Sequence, residues 1–389
     1  MKILQVIPFF APAWGFGGPV RVCFDISKEL TDNGHDIAVA TTDAYDSRKR
    51  LNKPHETIEG IKIIRFQNFS PRFAKEFNLY LPFGFKRWSK NNIQNFDLVH
   101  LHTFFTYQNI IAAYYCRRFK IPYVLHLHES LIPMPLLGKV WFKKMFNKFF
   151  GKKILFGAAR IFVISQKEKN ELSNFLPEIK SKIELIPNCI NLTFKKSPEV
   201  ARTKYGVNEK DKIILTLSRL SFIKGIDLLI RAFAKLVEKD SNYRLLIAGP
   251  DEGGGLKKLT SLAKSLKLLD KVSFLGLIEG RKKEEIFATA DIFALFSRYE
   301  SFSLTTLEAL QHDLPVCLSK EVGVAGEVLR FNCGVATNPY DAPKSAAKLE
   351  WVYNNKDVLA KNCQPSLSQF DIKKVADKVN KIYQEIVKG

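Results

Sequence analysis

The sequence predicts the α/β class, arranged as two doubly wound domains in tandem. Three observations carry this expectation. Short apolar runs alternate with amphipathic helical stretches along the chain, the pattern of parallel strands covered on both faces by helices. The rhythm loosens once, over the polar, turn-rich stretch 187–212, and then restarts. A chain of 389 residues also exceeds what one ordinary core holds.

Taken in order, KILQVI is a continuous apolar run and reads as the first buried strand. The Gly/Pro-rich turn APAWGFGGP follows, then the helical stretch VRVCFDISKELTDNG. Pro19 suits its first turn and Gly34 its exit, and Val20, Cys23, Phe24, Ser27 and Leu30 share one face. DIAVATT, IKIIRF, DLVHLH, YVLHLH and RIFVIS read as the next strands. After the break, IILTLS leads into helix IDLLIRAFAKLVEK, YRLLIAG into LKKLTSLAKSLKL, and VSFLG into EEIFATA. IFALFS then leads into LTTLEALQ, and LPVCLS follows. The last twenty residues read as one amphipathic helix.

Composition narrows the class. The apolar fraction of 46% is ordinary for a globular protein. Six scattered cysteines form no CxxC pair, which predicts a reducing compartment and no structural zinc. The N-terminus is short for a signal peptide, and no run reaches the length of a membrane span. A cytoplasmic protein is expected. The net charge of +21 is uneven: residues 1–200 carry 30 basic and 16 acidic side chains, residues 201–389 carry 30 and 23. An anionic partner is therefore expected at the first half. Nucleic acid is not expected, because the basic residues interleave with apolar runs and no nucleic-acid-binding motif is present.

In doubly wound sheets, ligands bind beyond the carboxyl ends of the strands. Candidate residues stand at those loops: Gly15, Gly17 and Gly18 after the first strand, His102 and His128 at later strand ends, Arg219 and Lys224 after IILTLS, and Glu300 after IFALFS. His100 and His126 are expected to point the other way along their strands. A helix opening near Ser303 would offer the N–H groups of Leu304, Thr305 and Thr306 to an anion. Arg219 and Lys224 would add charge, and together they would hold a diphosphate. The plain alternative is a capped helix with two surface cations. Glu308 would lie just over one turn inside that helix, near a ribose, and Glu300 near a transferred sugar. No DxD-like cluster stands at a strand end, so no metal is expected.

These stretches resemble, in family order, the motifs of retaining GT-B glycosyltransferases of the group 1 family, also called family 4. GFGGPVRVCFDISKELTDNGHDIAVATT is similar to its first βαβ unit, and FDLVHLH and IPYVLHLHES to its next strands. IPNCINL resembles the linker motif, LSRLSFIKGIDLLIRAF the phosphate-gripping turn, IAGPDEGG and VSFLGLI the base-binding neighbourhood, and SRYESFSLTTLEALQHDLPV the paired-glutamate motif. The resemblance implies the GT-B fold, two Rossmann-like domains facing across a cleft. It implies an acceptor domain 1–191, a linker 192–211 and a nucleotide-sugar domain 212–370, with helix 371–389 packing back onto the first.

The implied enzyme transfers sugar from a nucleotide-diphosphate sugar, with retention of configuration and without a cofactor, to a saccharide or lipid-linked acceptor. Polysaccharide or glycolipid synthesis is the implied setting. Arg219 and Lys224 would bind the diphosphate, the backbone of Ser303, Leu304 and Thr305 would touch phosphate, and Glu308 would hold ribose. Leu277 would lie by the base, and Gly17 and Gly18 would let the first loop approach the donor. Glu300 and His128 would serve at the reacting sugar, with His102 and Glu129 at the pocket edge. Departures stand at Ser301 and Ser303, where the family has Gly, at Cys189 in place of Gly, and at Glu129, where Gly usually follows the histidine. They keep open a nucleotide-binding relative with altered or lost activity. A dinucleotide-dependent oxidoreductase is the other alternative, although GFGGPV does not keep the GxGxxG register.

The stretch 138–156, GKVWFKKMFNKFFGKKILF, holds six lysines and no acid among aromatic residues. As a helix it reads either as a core helix with outward lysines or as a membrane-interface helix. In the second reading Trp141, Lys143, Lys144, Lys148, Lys152 and Lys153 meet an anionic cytoplasmic membrane face.

Overall fold

The computed structural model describes residues 1–46, 48–70, 72–74, 80–128, 146–192 and 202–389. The chain forms two compact units, Met1–Cys189 with Ile372–Gly389, and Ile190–Asp371.

The first unit is built on eight strands: β1 (Lys2–Val6), β2 (Asp36–Thr42), β3 (His55–Ile58), β4 (Ile61–Phe66), β5 (Leu98–His102), β6 (Tyr123–His126), β7 (Arg160–Val163) and β8 (Ile183–Leu185). Their order is β3-β4-β2-β1-β5-β6-β7-β8. All neighbours run parallel except β3, which pairs antiparallel with β4. The central strands β5 and β6 are buried at every position, His100, His102 and His126 included, as strands covered on both faces are. β3, HETI, alternates exposed and half-buried residues at the sheet edge, so it gave no apolar run to read.

Helix α1 (Gly18–Asp32) buries Val20, Val22, Cys23, Ile26, Ser27 and Leu30. Phe24 stays half-buried, against the face read from the sequence. Helices α2 (Phe85–Asn92), α3 (Tyr107–Phe119), α4 (Lys152–Gly157) and α5 (Gln166–Phe175) follow. Thr106 caps α3 and Ser165 caps α5, each accepting from the N–H three residues on.

The second unit has six parallel strands: β9 (Lys212–Leu217), β10 (Tyr243–Ala248), β11 (Val272–Gly276), β12 (Ile292–Leu295), β13 (Val316–Ser319) and β14 (Gly334–Thr337). Their order is β11-β10-β9-β12-β13-β14. Helices α6 (Ile226–Val237), α7 (Gly255–Ser265), α8 (Arg281–Thr289), α9 (Leu304–Gln311), α10 (Ala325–Phe331) and α11 (Ala342–Asn354) connect and flank them. The strand-and-helix pattern read from the sequence ended at LPVCLS. The structure continues it, because β14 is four small residues, GVAT, whose Gly334 packs against the β13 backbone at a spacing no Cβ fits.

Arg202 and Lys204 fall in the stretch read as linker, 192–211, yet they belong to the second unit. Arg202 meets Asp291 at 3.0 Å and Lys204 meets Glu285 at 2.5 Å. Residues 193–201 of that stretch lie outside the described residues.

The last helix, α12 (Ile372–Lys388), is part of the first unit. It buries Ile372, Val375, Ala376, Val379, Ile382 and Tyr383. The Tyr383 hydroxyl meets His100 Nδ1 at 2.5 Å, and Lys378 donates to the Leu185 carbonyl at 2.8 Å. Among the described residues no helix is long and apolar enough to cross a membrane.

Candidate active site

In the second unit the strand order reverses between β9 and β12. The loops leaving those two neighbours therefore diverge, and their carboxyl ends form the crevice where ligands of doubly wound sheets bind.

The loop after β9 runs through Arg219 to a short 3-10 turn, Phe222–Lys224, and reaches α6 at Gly225. Gly225 has φ +61, and a Cβ there would lie 1.9 Å from the Phe296 carbonyl of the β12 loop. Glycine thus lets the two loops touch. Arg298 ties them further. Its guanidinium meets both oxygens of Asp227 at 2.7 Å, donates to the Phe222 carbonyl at 2.7 Å and covers the Phe222 ring.

Held this way, the Lys224 ammonium pairs with the Glu300 carboxylate directly across the reversal point. Both side chains are mostly buried. Glu300 is fixed at its backbone as well. Its N–H donates to the Glu321 carbonyl at 3.3 Å, and its carbonyl accepts from Gly323 at 2.7 Å. The Ser301 hydroxyl beside it is buried and has no hydrogen-bond partner.

Three residues on, Ser303 opens α9 in the left-handed region, φ +89. Its hydroxyl accepts from the Thr306 N–H at 3.2 Å. This corrects the expectation that Thr306 offers a free amide: the cap takes it, and the helix end presents Leu304 and Thr305. Glu308, one turn into α9, meets Lys283 of α8 at 2.6 Å through Oε1. Its Oε2 is buried without a partner.

Arg219 is exposed and meets Glu252 at 2.6 Å. Leu277, just past β11, is also exposed. The structure thus brings Lys224, Glu300 and Ser303 onto adjoining loops, with Leu304 and Thr305 in the first turn of α9. It sets Arg219 beside a carboxylate that sequence reasoning did not name. Lys283, Arg298 and Asp227 were missed as well, since their partners lie far off in sequence and leave no periodic signal.

The first unit has its own order reversal, between β1 and β5. Gly17, with φ +97, precedes α1 there, and Gly18 begins the helix. His102 ends β5, and His128 follows β6 at φ +46. The two rings are bonded, Nδ1 to Nε2, at 3.0 Å. His102 Nε2 meets the Gln5 carbonyl oxygen at 2.7 Å. A neutral imidazole carries one N–H, so His102 donates to Gln5 and accepts from His128. The bare Nδ1 of His128 is then a hydrogen-bond acceptor. Burial pushes His128 down to about 3, and burial with the neighbouring rings holds His102 well below its usual range. Both are neutral at pH 7.

His100 and His126 do not point the other way, as the sequence reading had it. Residues two apart on a strand share a face, so all four histidines form one buried stack. His100 and His102 lie 4.1 Å apart, and His126 and His128 3.8 Å apart. One ring nitrogen from each of His100, His102 and His126 lies within 4.8 Å of the other two, a group that could hold a metal ion. Both ring nitrogens of His102 are already engaged, with His128 and Gln5.

Glu129, Trp141, Lys143 and Lys144 lie outside the described residues, as does the side chain of Lys148. Lys152 and Lys153 are exposed at the start of α4, near exposed Phe149, Phe150 and Phe156. The helix read over 138–156 is described only from Phe146, as a π-turn, Asn147–Gly151, that runs into α4.

Two family models match consecutive parts of the chain: "Glycosyltransferase Family 4" over residues 16–194 and "Glycosyl transferases group 1" over residues 198–366. The chain is 25% identical to the N-acetyl-alpha-D-glucosaminyl L-malate synthase of Bacillus anthracis, covering 96% of this chain and 95% of that one. It is 26% identical to the alpha-monoglucosyldiacylglycerol synthase of Streptococcus pneumoniae, covering 79% and 68%. Among solved structures, a glycosyltransferase from Rickettsia africae aligns with a TM-score of 0.77 at 20% identity, covering 100% of this chain and 99% of that one. Anabaena HepE in complex with UDP and glucose aligns with 0.76 at 20% identity, covering 99% and 100%. These likenesses give the GT-B fold.

Proposed function

The chain belongs to the group 1 and family 4 glycosyltransferases, and from that membership we propose that it moves a sugar from a nucleoside-diphosphate sugar to a saccharide or lipid-linked acceptor, with retention of configuration. The observation that carries this reading is the Lys224–Glu300 pair at the order reversal, beside the open amides of Leu304 and Thr305. In this reading the Lys224 ammonium and the two amides meet the diphosphate as it leaves and gains charge, which is how such a site lowers the barrier. Arg219, on the same loop, would turn from Glu252 to the diphosphate as a second cation, so that side chains neutralise the charge without a metal ion. Glu300 faces the transferred sugar, Glu308 the ribose and Leu277 the base.

His128, neutral and with a bare Nδ1, orients a hydroxyl of that sugar. Gly17 and Gly18 give the donor access at the first loop, and His102 and Glu129 border the sugar. The named relatives support the substrate classes: one is a glycolipid synthase, and one solved neighbour holds UDP and glucose. The basic, aromatic surface around Lys152 and Lys153 supports a cytoplasmic enzyme resting on an anionic membrane face. Flotation with anionic vesicles that fails at low salt would remove that part.

A panel of nucleoside diphosphates and their sugars in a thermal-shift experiment tests the donor. Selective stabilisation of the wild type is expected, and donor turnover should be lost in Glu300→Gln. No stabilisation by any member would overturn the reading. Proton NMR of the product reads the anomeric outcome. Ser303 in the left-handed region favours a second reading, a nucleotide-binding relative with altered activity. Stabilisation by nucleotide without turnover of any sugar would support it.

A further inference from the structure

We infer that Lys283 is a positioning residue for nucleoside recognition: it holds the Glu308 carboxylate so that its remaining lone pairs meet the two ribose hydroxyls. This deepens the donor reading above and rests on it. Lys283 sits in the first turn of α8, where its own N–H donates to the Gly280 carbonyl at 2.9 Å. Its ammonium meets Glu308 Oε1 at 2.6 Å, while Oε2 stays buried without a partner.

A second contact fixes the register of the two helices. Phe287, four residues after Lys283, stacks on His312, four residues after Glu308, at 5.1 Å and 19°. Positions four apart share a helix face. The two contacts therefore form successive rungs between α8 and α9, one polar and one aromatic.

An ionised carboxylate accepts about four hydrogen bonds. Lys283 uses one and leaves enough for a diol. The ammonium also offsets the Glu308 charge, which otherwise repels a diphosphate. Burial pushes His312 down to about 4, with the Lys283 charge as the second cause. His312 is thus neutral at pH 7 and leaves Glu308 as the charged partner of that lysine.

The test compares UDP, GDP and ADP with their 2′,3′-dideoxy counterparts, by calorimetry on wild type, Lys283→Met, Lys283→Arg and Glu308→Gln. Methionine keeps the volume and removes the charge. Lys283→Met should weaken the preferred ribonucleotide about tenfold, the scale of one charged hydrogen bond. It should leave the dideoxy form within about twofold, so the ribose preference collapses. Lys283→Arg should restore the preference. Unchanged or tighter ribonucleotide binding by Lys283→Met overturns the inference, as does equal weakening of both forms. Those outcomes leave the donor reading standing, provided wild type binds and Glu308→Gln loses ribose preference. If wild type binds none of the six, the donor reading falls and the inference with it.

Discussion

Arg298 grips Asp227 through two hydrogen bonds of 2.7 Å, and this fork joins the β12 loop to the first turn of α6. The pairing holds Arg298 fully charged, chiefly through the Asp227 hydrogen bonds. Because the guanidinium also takes the Phe222 carbonyl, it sets the height of the turn that carries Lys224. Arg298→Lys keeps the charge and loses the planar fork. We expect Arg298→Ala to destabilise the second unit by about 2–4 kcal/mol in urea unfolding, as for one partner removed from a largely buried pair. Arg298→Lys should recover less than half of that loss.

In the proposed reaction Lys224 stands where the leaving group gains charge. Lys224→Met is expected to lower kcat/KM about 10²–10³-fold, the usual cost of losing one preorganised donor at a developing anion. The unfolding midpoint checks that the fold survives.

Ser303 separates two effects that usually travel together. Its left-handed backbone disfavours any side chain, yet its hydroxyl caps α9. Ser303→Ala keeps the strained backbone and loses the cap, so it should cost about 1 kcal/mol. Ser303→Gly loses the cap but relieves the backbone, so it should be neutral or stabilising by up to about 1 kcal/mol. Thermal unfolding of the two variants reads the difference in sign.

The histidine stack predicts acid lability. His100, His102, His126 and His128 are all held below the ordinary value by burial. An unfolded histidine titrates near 6.5. Below that pH the unfolded chain binds protons that the folded unit refuses, so stability falls as pH falls. The loss begins near pH 6.5 and continues toward about 3, where His128 titrates. Each histidine contributes up to about 1.4 kcal/mol per pH unit in that window. His126 has neither ring nitrogen paired, so His126→Leu should flatten the pH dependence of Tm without a large loss at pH 8.

Much of the fold was legible because strands buried on both faces read as apolar runs, as in DLVHLH and IILTLS. The edge strand β3 and the tiny β14 were not, since neither has a long apolar run. The site was legible where chemistry stands in short range, as in the stretch that holds Glu300, Ser303 and Glu308. Its ion pairs were not: Lys224 with Glu300 and Lys283 with Glu308 join elements 76 and 25 residues apart. The four-histidine stack was misread although its signal was present, since His100 and His102 stand two apart.

The placement of α12 in the first unit has a consequence for how a cell makes this protein. The sheet that begins at Lys2 receives Tyr383 against His100. A ribosome has therefore added 283 residues after His100 before that sheet gains this covering helix. Until then the nascent first half shows the surface on which Val375, Val379 and Tyr383 will rest, and chaperones or proteases meet that surface first.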